Sequence, residues 1–86
     1  MIDRRNRRFV KVTWHDAADN GQTWVQAEEI QPFTEDLCVV VSWGWLVGAT
    51  KKYVTLAADE IVDGPYGRVT KIPVPMIVKI EDFKDE

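Results

Sequence analysis

The residues that could carry acid–base or metal chemistry are few in this chain, and their spacing suits neither. The only histidine, His15, stands next to Asp16, and adjacent residues of a strand point to opposite faces, so the two are not expected to form a dyad. Asp16, Asp19 and Asn20 lie close together but lack the ligand number and spacing of a calcium loop. The sequence therefore predicts no metal site.

Motifs for covalent or phosphate chemistry are also missing. No serine or cysteine stands in a nucleophile motif, and no glycine pattern matches a phosphate-binding loop. The acidic pairs Glu28-Glu29 and Asp59-Glu60 are expected to be solvated charges. The single cysteine, Cys38, opens an apolar run, so we expect a small buried hydrophobic residue and no internal disulfide. We expect no enzymatic activity and no cofactor.

One short stretch has the chemistry of a nucleic-acid contact. Lys51 and Lys52 precede Tyr53. An aromatic ring that stacks on a base, beside cations that meet phosphates, is the minimal requirement for binding a single strand. The competing interpretation, which we favour, is that the lysines solubilise a turn and that Tyr53 is a half-exposed strand residue.

Charge is unevenly distributed along the 86 residues. Residues 1–8 carry four arginines and one aspartate, a net charge of +3. The remaining residues carry 7 Lys or Arg and 13 Asp or Glu, a net charge of −6. The two parts sum to the net charge of −3 for the chain. Guanidinium groups suit phosphates, but an acidic body repels a polyanion. We therefore expect a protein partner, with nucleic acid as the alternative. The basic residues of that alternative are Arg4, Arg5, Arg7, Arg8, Lys51 and Lys52.

Period-two patterns predict the strands that position these residues. The stretch from Phe9 to Trp14 alternates, with Val10 and Val12 on the same face as Trp14, and predicts the first strand. Residues 38–58, CVVVSWGWLVGATKKYVTLAA, predict one long bent strand, a tight turn and a second strand. In the second of these strands Val54 and Leu56 are expected to point inward and Ala57 outward.

The long strand is expected to be covered on both faces in its first half, because both faces are apolar through Val41. Its second half contains Gly44 and Gly48. A strand that curves to close a small barrel needs such positions, since a side chain there would obstruct a tight bend or a close approach of two backbones.

Between the first two strands, residues 24–30 (WVQAEEI) predict two turns of helix or an ordered turn. Thr23 followed by Gln26 resembles a capping box, and Pro32 is expected to end the helix. Farther along, residues 59–67 predict a polar connection, and residues 68–72 and 76–80 predict the fourth and fifth strands. A short proline-bracketed turn separates these last two strands.

The predicted core consists of alternate apolar residues of these strands. Its members are Val12, Val41, Leu46, Val54, Leu56, Ile72 and Ile80. The tryptophans allow two interpretations: Trp24 caps an open end while Trp43 and Trp45 fill one side of the core, which we favour, or exposed aromatic residues form an interaction surface. The candidate partner-binding residues are Trp24, Trp45 and Tyr53.

The order of these segments resembles that of Sm-like and SH3-like barrels. A bent strand with GWLV, a turn, YVTLAAD, a strand reaching TKIP, a proline-bearing turn and IVKIEDF follow one another as in those folds. The resemblance implies five bent antiparallel strands with a short 3₁₀ turn between the fourth and fifth. More narrowly, VTWHDA, SWGWLVGATKKYVTLAAD and IPVPMIVKIEDF resemble small uncharacterised proteins of bacteriophages and prophages, over residues 9–83.

We therefore predict an all-β fold: a small five-stranded barrel of bent strands, Sm-like or SH3-like, with a short helix or ordered turn after the first strand. Residues 1–8 form a basic N-terminal arm, residues 9–83 the single barrel domain and residues 84–86 a charged end. The predicted function is a non-enzymatic phage or prophage accessory protein that forms a homo-oligomer or docks on a host or phage protein. The alternative is an Sm-like protein that binds RNA or single-stranded nucleic acid.

The expected location is the cytoplasm of the host cell. No apolar run approaches the roughly 20 residues of a membrane span. The first nine residues, MIDRRNRRF, lack the apolar centre of a signal peptide. No membrane partner is expected.

Overall fold

Five antiparallel strands and one short helix make up the fold in the computed structural model, which describes residues 8–19 and 21–83. The elements are β1 Phe9–Asp16, α1 Ala27–Glu35, β2 Cys38–Ala49, β3 Tyr53–Glu60, β4 Tyr66–Pro73 and β5 Ile77–Asp82, with a 3₁₀ turn Val74–Met76 between the last two strands. The strands form one sheet in the order β4-β3-β2-β1-β5. The predicted all-β class is confirmed. The sheet is not closed into a barrel, since β4 and β5 are its two edges.

Three sequence predictions fall outside the described residues. These are the basic positions Arg4, Arg5 and Arg7, the turn residue Asn20 and the charged end 84–86.

The connection between β3 and β4 is shorter than predicted, because both strands extend into it. β3 continues to Glu60 and β4 begins at Tyr66. The turn between them is closed by two backbone hydrogen bonds: the N–H of Ile61 donates to the carbonyl of Pro65 at 2.9 Å, and the N–H of Gly64 donates to the carbonyl of Ile61 at 2.6 Å.

The middle of β2 has two special features, a close approach to β3 at Gly44 and a bulge. A Cβ added at Gly44 would lie 3.0 Å from the carbonyl oxygen of Ala57 and 3.2 Å from the Cβ of Leu56, both tighter than ordinary contacts, so glycine favours this close approach of β2 to β3. At Gly48 an added Cβ would lie 3.5 Å from Thr55, an ordinary contact. The register shifts between Leu46 and Gly48, and such a bulge bends a strand without any demand for glycine.

The core lies on one face of the sheet. It consists of Val10, Val12, Leu46, Val54, Leu56 and Ile72. Trp14 and Ile77 pack against it, and the indole N–H of Trp14 donates a hydrogen bond to the hydroxyl of Ser42 at 3.0 Å, so its polar atom keeps a partner.

The prediction of the core is wrong for two residues, Val41 and Ile80, which are exposed. Val41 is 45% exposed because it pairs with Thr13, on the face opposite Val12. Ile80 does pair with Val12, but it is 38% exposed because β5 is an edge strand with no neighbour on its other side. The other five predicted core residues are buried.

The first half of β2 is not covered on both faces, and Cys38 is exposed rather than buried. The reason is the extent of pairing. β2 pairs with β1 from Cys38 onward, whereas its register with β3 begins only at Trp45. Ala57, predicted to point outward, is fully buried; it pairs with Trp45, on the face of β3 opposite Leu56.

The helix starts and ends later than predicted. Its N-cap is Gln26, whose backbone N–H donates to the carboxylate of Glu29 at 3.1 Å, and it runs through Pro32 to Glu35. Pro32 removes one backbone hydrogen bond without ending the helix. Trp24 lies before the helix and is 88% exposed, so it does not cap an open end of the fold.

The molecule is elongated. Its Cα radius of gyration is 16.6 Å and its principal extents are 53 × 27 × 25 Å. A compact chain of this length would have a radius of gyration of about 12 Å. Much of the apolar surface that a compact fold would bury is therefore open.

Candidate interaction surfaces

A cleft forms where the β2–β3 turn meets the 3₁₀ turn. It has a volume of about 280 Å³ and is lined by Lys51, Lys52, Tyr53, Pro73 and Pro75, which we name the turn cleft. In the sequence these residues belong to two separate turns. The fold joins them, because Tyr53 pairs with Pro73 across β3 and β4.

Backbone hydrogen bonds hold the two turns in place. The N–H of Val74 donates to the carbonyl oxygen of Lys52 at 2.8 Å. The hydroxyl oxygen of Thr50 accepts from the N–H groups of Lys52 and Tyr53, each at 3.1 Å, so one side chain organises the β2–β3 turn. The lysines at the mouth of the cleft are therefore carried on a defined backbone.

Lys71 adds a third cation beside the turn cleft, and the sequence prediction missed it. Its Nζ lies 4.5 Å from the ring centroid of Tyr53, a cation–π contact. The period-two pattern places Lys71 on the face opposite Ile72, but only the register of β3 with β4 brings it diagonally next to Tyr53. Residues 50–58 and 69–79 contain no Asp or Glu, so this end of the molecule is positively charged.

A second surface lies on the side of the sheet opposite the core. We name it the aromatic face; it consists of Phe9, Trp43, Trp45 and Phe83. The ring of Phe9 meets Trp45 with centroids 5.0 Å apart and Phe83 at 5.8 Å, and Trp43 meets Phe83 at 5.9 Å, all edge to face.

The aromatic face is open to solvent. Trp43 is 50% exposed, and the Nζ of Lys11 lies 5.4 Å from its ring centroid. Val41 and Val39 continue the apolar surface along β2. The interpretation that Trp43 and Trp45 fill one side of the core is therefore wrong. Their side chains lie on the outer face of the sheet.

A third surface is the segment of residues 17–37, which we name the helical arm. None of its described residues is buried. Its exposed large apolar side chains are Trp24, Ile30, Phe33 and Leu37. Between residues 12 and 50 the chain carries six acidic residues and no Lys or Arg, and four of the six are Glu28, Glu29, Glu35 and Asp36. The arm is thus both apolar and acidic.

The remaining sequence-predicted residues are apart from these surfaces. Arg8 forms an ion pair with Asp82, Nε to Oδ1 at 2.5 Å, and so uses its charge within the chain. His15 and Asp16 are both exposed at the end of β1, where the carboxylate of Asp16 accepts from the N–H of Ala17 at 2.8 Å. The described residues contain no group of three or more His, Cys, Asp or Glu side chains that could hold a metal ion.

The best-defined ion pair is Asp59 with Arg68. Two guanidinium nitrogens donate to the carboxylate, at 2.6 and 3.0 Å, and these hydrogen bonds lower the pKa of Asp59 and raise that of Arg68. Arg68 has a φ of 48°, a left-handed backbone conformation that residues other than glycine rarely adopt. The bidentate pair accompanies this local distortion of β4.

Comparison of the chain with protein-family models, with curated proteins and with solved structures found no match. Within the described residues, no helix has the length and apolar character to cross a membrane.

Proposed function

We propose that this protein is a non-enzymatic module for protein interaction and self-assembly, a phage or prophage accessory protein located in the host cytoplasm. The observation that carries the proposal is the amount of apolar surface left open. Among the described residues, sixteen large apolar side chains are exposed, whereas eight apolar residues are buried. Contiguous exposed apolar surface is typical of interaction sites.

The proposed architecture is an Sm-like or SH3-like barrel that remains open at β4 and β5. The strand order, the bulge in β2 and the 3₁₀ turn before β5 support it. Both edge strands expose an apolar side chain, Val69 on β4 and Val78 on β5. Unpaired edges are templates for pairing with another chain, so the open sheet supports the proposal of a homo-oligomer.

The oligomeric state tests this proposal. We expect light scattering at high micromolar concentration to give a mass above the 9.9 kDa of the single chain. The double variant Val69→Lys/Val78→Lys should shift the mass toward the monomer, because edge lysines oppose strand pairing. Val62→Lys, in the β3–β4 turn, is the matched control. A monodisperse species near 10 kDa for the unaltered chain would contradict self-assembly.

A second candidate function is the binding of single-stranded nucleic acid. The observation that favours it is the turn cleft, where Lys51 and Lys52 line the same cleft as Tyr53 and Lys71 contacts the Tyr53 ring. Three cations around an aromatic ring suit phosphates and a base. We rank it second because the net charge of the chain is −3 and Arg8 is paired with Asp82.

A further inference from the structure

The helical arm lacks the contacts that would stabilise it within a single chain. α1 has nine residues, includes Pro32 and buries none of its side chains. Isolated helices shorter than about 12–15 residues are marginal in water, and an internal proline weakens them further. Trp24 is 88% exposed and Phe33 is 40% exposed, so neither aromatic side chain is buried among the described residues. Such an arm requires a surface that covers it.

The turn cleft has the complementary chemistry. Its Tyr53, Pro73 and Pro75 are apolar, and Lys51 and Lys52 carry positive charge at its mouth. Its volume of about 280 Å³ lies just below the roughly 300–1,000 Å³ of sites for small molecules, a size that suits one inserted side chain. The acidic and apolar arm therefore matches the basic and apolar cleft in both charge and surface.

The two surfaces are attached at opposite ends of β2. The arm joins β2 at Cys38, and the turn cleft begins just beyond Ala49, at the other end of this 12-residue strand. At a rise of about 3.3 Å per residue such a strand spans up to roughly 36 Å. Among the described residues, none of the arm lines the turn cleft of its own chain, so the cleft is open to the arm of another copy.

We propose that the helical arm of one copy docks in the turn cleft of a second copy. Trp24 enters the cleft against Tyr53, and the carboxylates of Glu28 and Glu29 face the lysines. Because the arm and the cleft are different surfaces, the contact is heterologous and produces a ring or a filament. This docking rests on the self-assembly proposed above and adds a second contact to the pairing of edge strands.

Charge reversal with compensation tests the docking. The variants Lys51→Glu/Lys52→Glu and Glu28→Lys/Glu29→Lys should each associate at least tenfold more weakly than the unaltered chain, measured by sedimentation at fixed ionic strength. An equimolar mixture of the two should recover association, because every arm in it then has a cleft of opposite charge. Trp24→Ala should weaken association to a similar degree, while Val62→Ala, an exposed site in a turn, leaves it unchanged. Circular dichroism melts check that each variant is folded.

Several outcomes would overturn the docking. If both charge variants associate as the unaltered chain does, the arm and cleft are not in contact, although self-assembly still stands. If the mixture does not recover association, and the lysine variant instead loses binding to a labelled oligo(dT) that the unaltered chain binds, the cleft is a nucleic-acid site. A monomeric unaltered chain would remove both proposals together.

Discussion

The backbone N–H of Val74 donates a hydrogen bond to the carbonyl oxygen of Lys52 at 2.8 Å, which ties the β2–β3 turn to the 3₁₀ turn 22 residues later in the chain. This contact joins the two turns whose residues, the two lysines and Pro73 and Pro75 among them, line the turn cleft. The bond is made by backbone atoms, so substitutions of the lysine side chains are expected to leave the cleft in place. Charge and shape can therefore be altered separately at this site.

Replacement of Gly44 by alanine should destabilise the fold by about 1–3 kcal/mol, as overpacking commonly does. The added Cβ would lie 3.0 Å from a backbone oxygen of β3, which is not free to move aside. Gly48→Ala is the matched control, because its Cβ would meet only ordinary contacts. Urea melts of the two variants measure the difference, and equal stabilities would show that Gly44 does not limit the approach of β2 to β3.

Truncation of the core should be costly. Leu56 is 2% exposed at the centre of the cluster, and Leu56→Ala is expected to lower the free energy of unfolding by about 2–5 kcal/mol. Val78→Ala, on the edge strand β5, should change it far less, since Val78 is already exposed. Denaturant melts at a concentration where the chain is monomeric check this. A neutral Leu56→Ala would mean that the register of β3 is wrong.

The ion pair of Asp59 and Arg68 should make stability depend on acid pH. The pKa of Asp59 is lowered in the folded chain, chiefly by its hydrogen bonds from Arg68. The contribution of this ion pair to stability is therefore fully present above the pKa of Asp59 in the unfolded chain, about 4. It is lost as the pH falls through the lower pKa of Asp59 in the folded chain. Asp59→Asn should lower the melting temperature at pH 7 by a small amount, because the pair is exposed, and by less as the pH approaches 2.

The control for this titration is Glu81→Gln, which removes a looser pair, Glu81 with Lys79 at 3.5 Å. We expect Glu81→Gln to lower the melting temperature at pH 7 by less than Asp59→Asn does. If Asp59→Asn lowers the melting temperature equally at pH 7 and pH 2, the charge of Asp59 is not the cause of the destabilisation.

Nucleic-acid binding, the second candidate function, predicts a steep dependence on salt. Affinity should fall by roughly one power of salt concentration for each phosphate contacted. We expect no submicromolar binding to mixed single-stranded RNA or DNA at physiological salt in a fluorescence titration. Tight binding that disappears when residues 1–8 are deleted, or when Lys51, Lys52 and Tyr53 are replaced by alanine, would instead favour nucleic acid as the partner.

Local pattern was enough to predict the strands and most of the core. Period two placed Val54 and Leu56 on one face of β3, and β-branched residues distinguished strand from helix in residues 38–58. Glycine was informative at Gly44, where a close approach of two backbones was predicted and confirmed. These features depend on neighbours within a few residues, which a sequence displays directly.

Other features depend on which strands pair and how far the pairing extends. Val41 and Trp43 are as apolar as core residues, yet they are exposed because the β1–β2 register places them opposite Thr13 and Lys11, on the face of the sheet away from the core. The cleft formed by Lys52, Tyr53 and Pro73 likewise exists because two distant turns share a backbone hydrogen bond and a strand register. Hydrophobicity along the chain shows that a side chain favours burial, whereas only the tertiary structure determines whether another part of the chain lies against it.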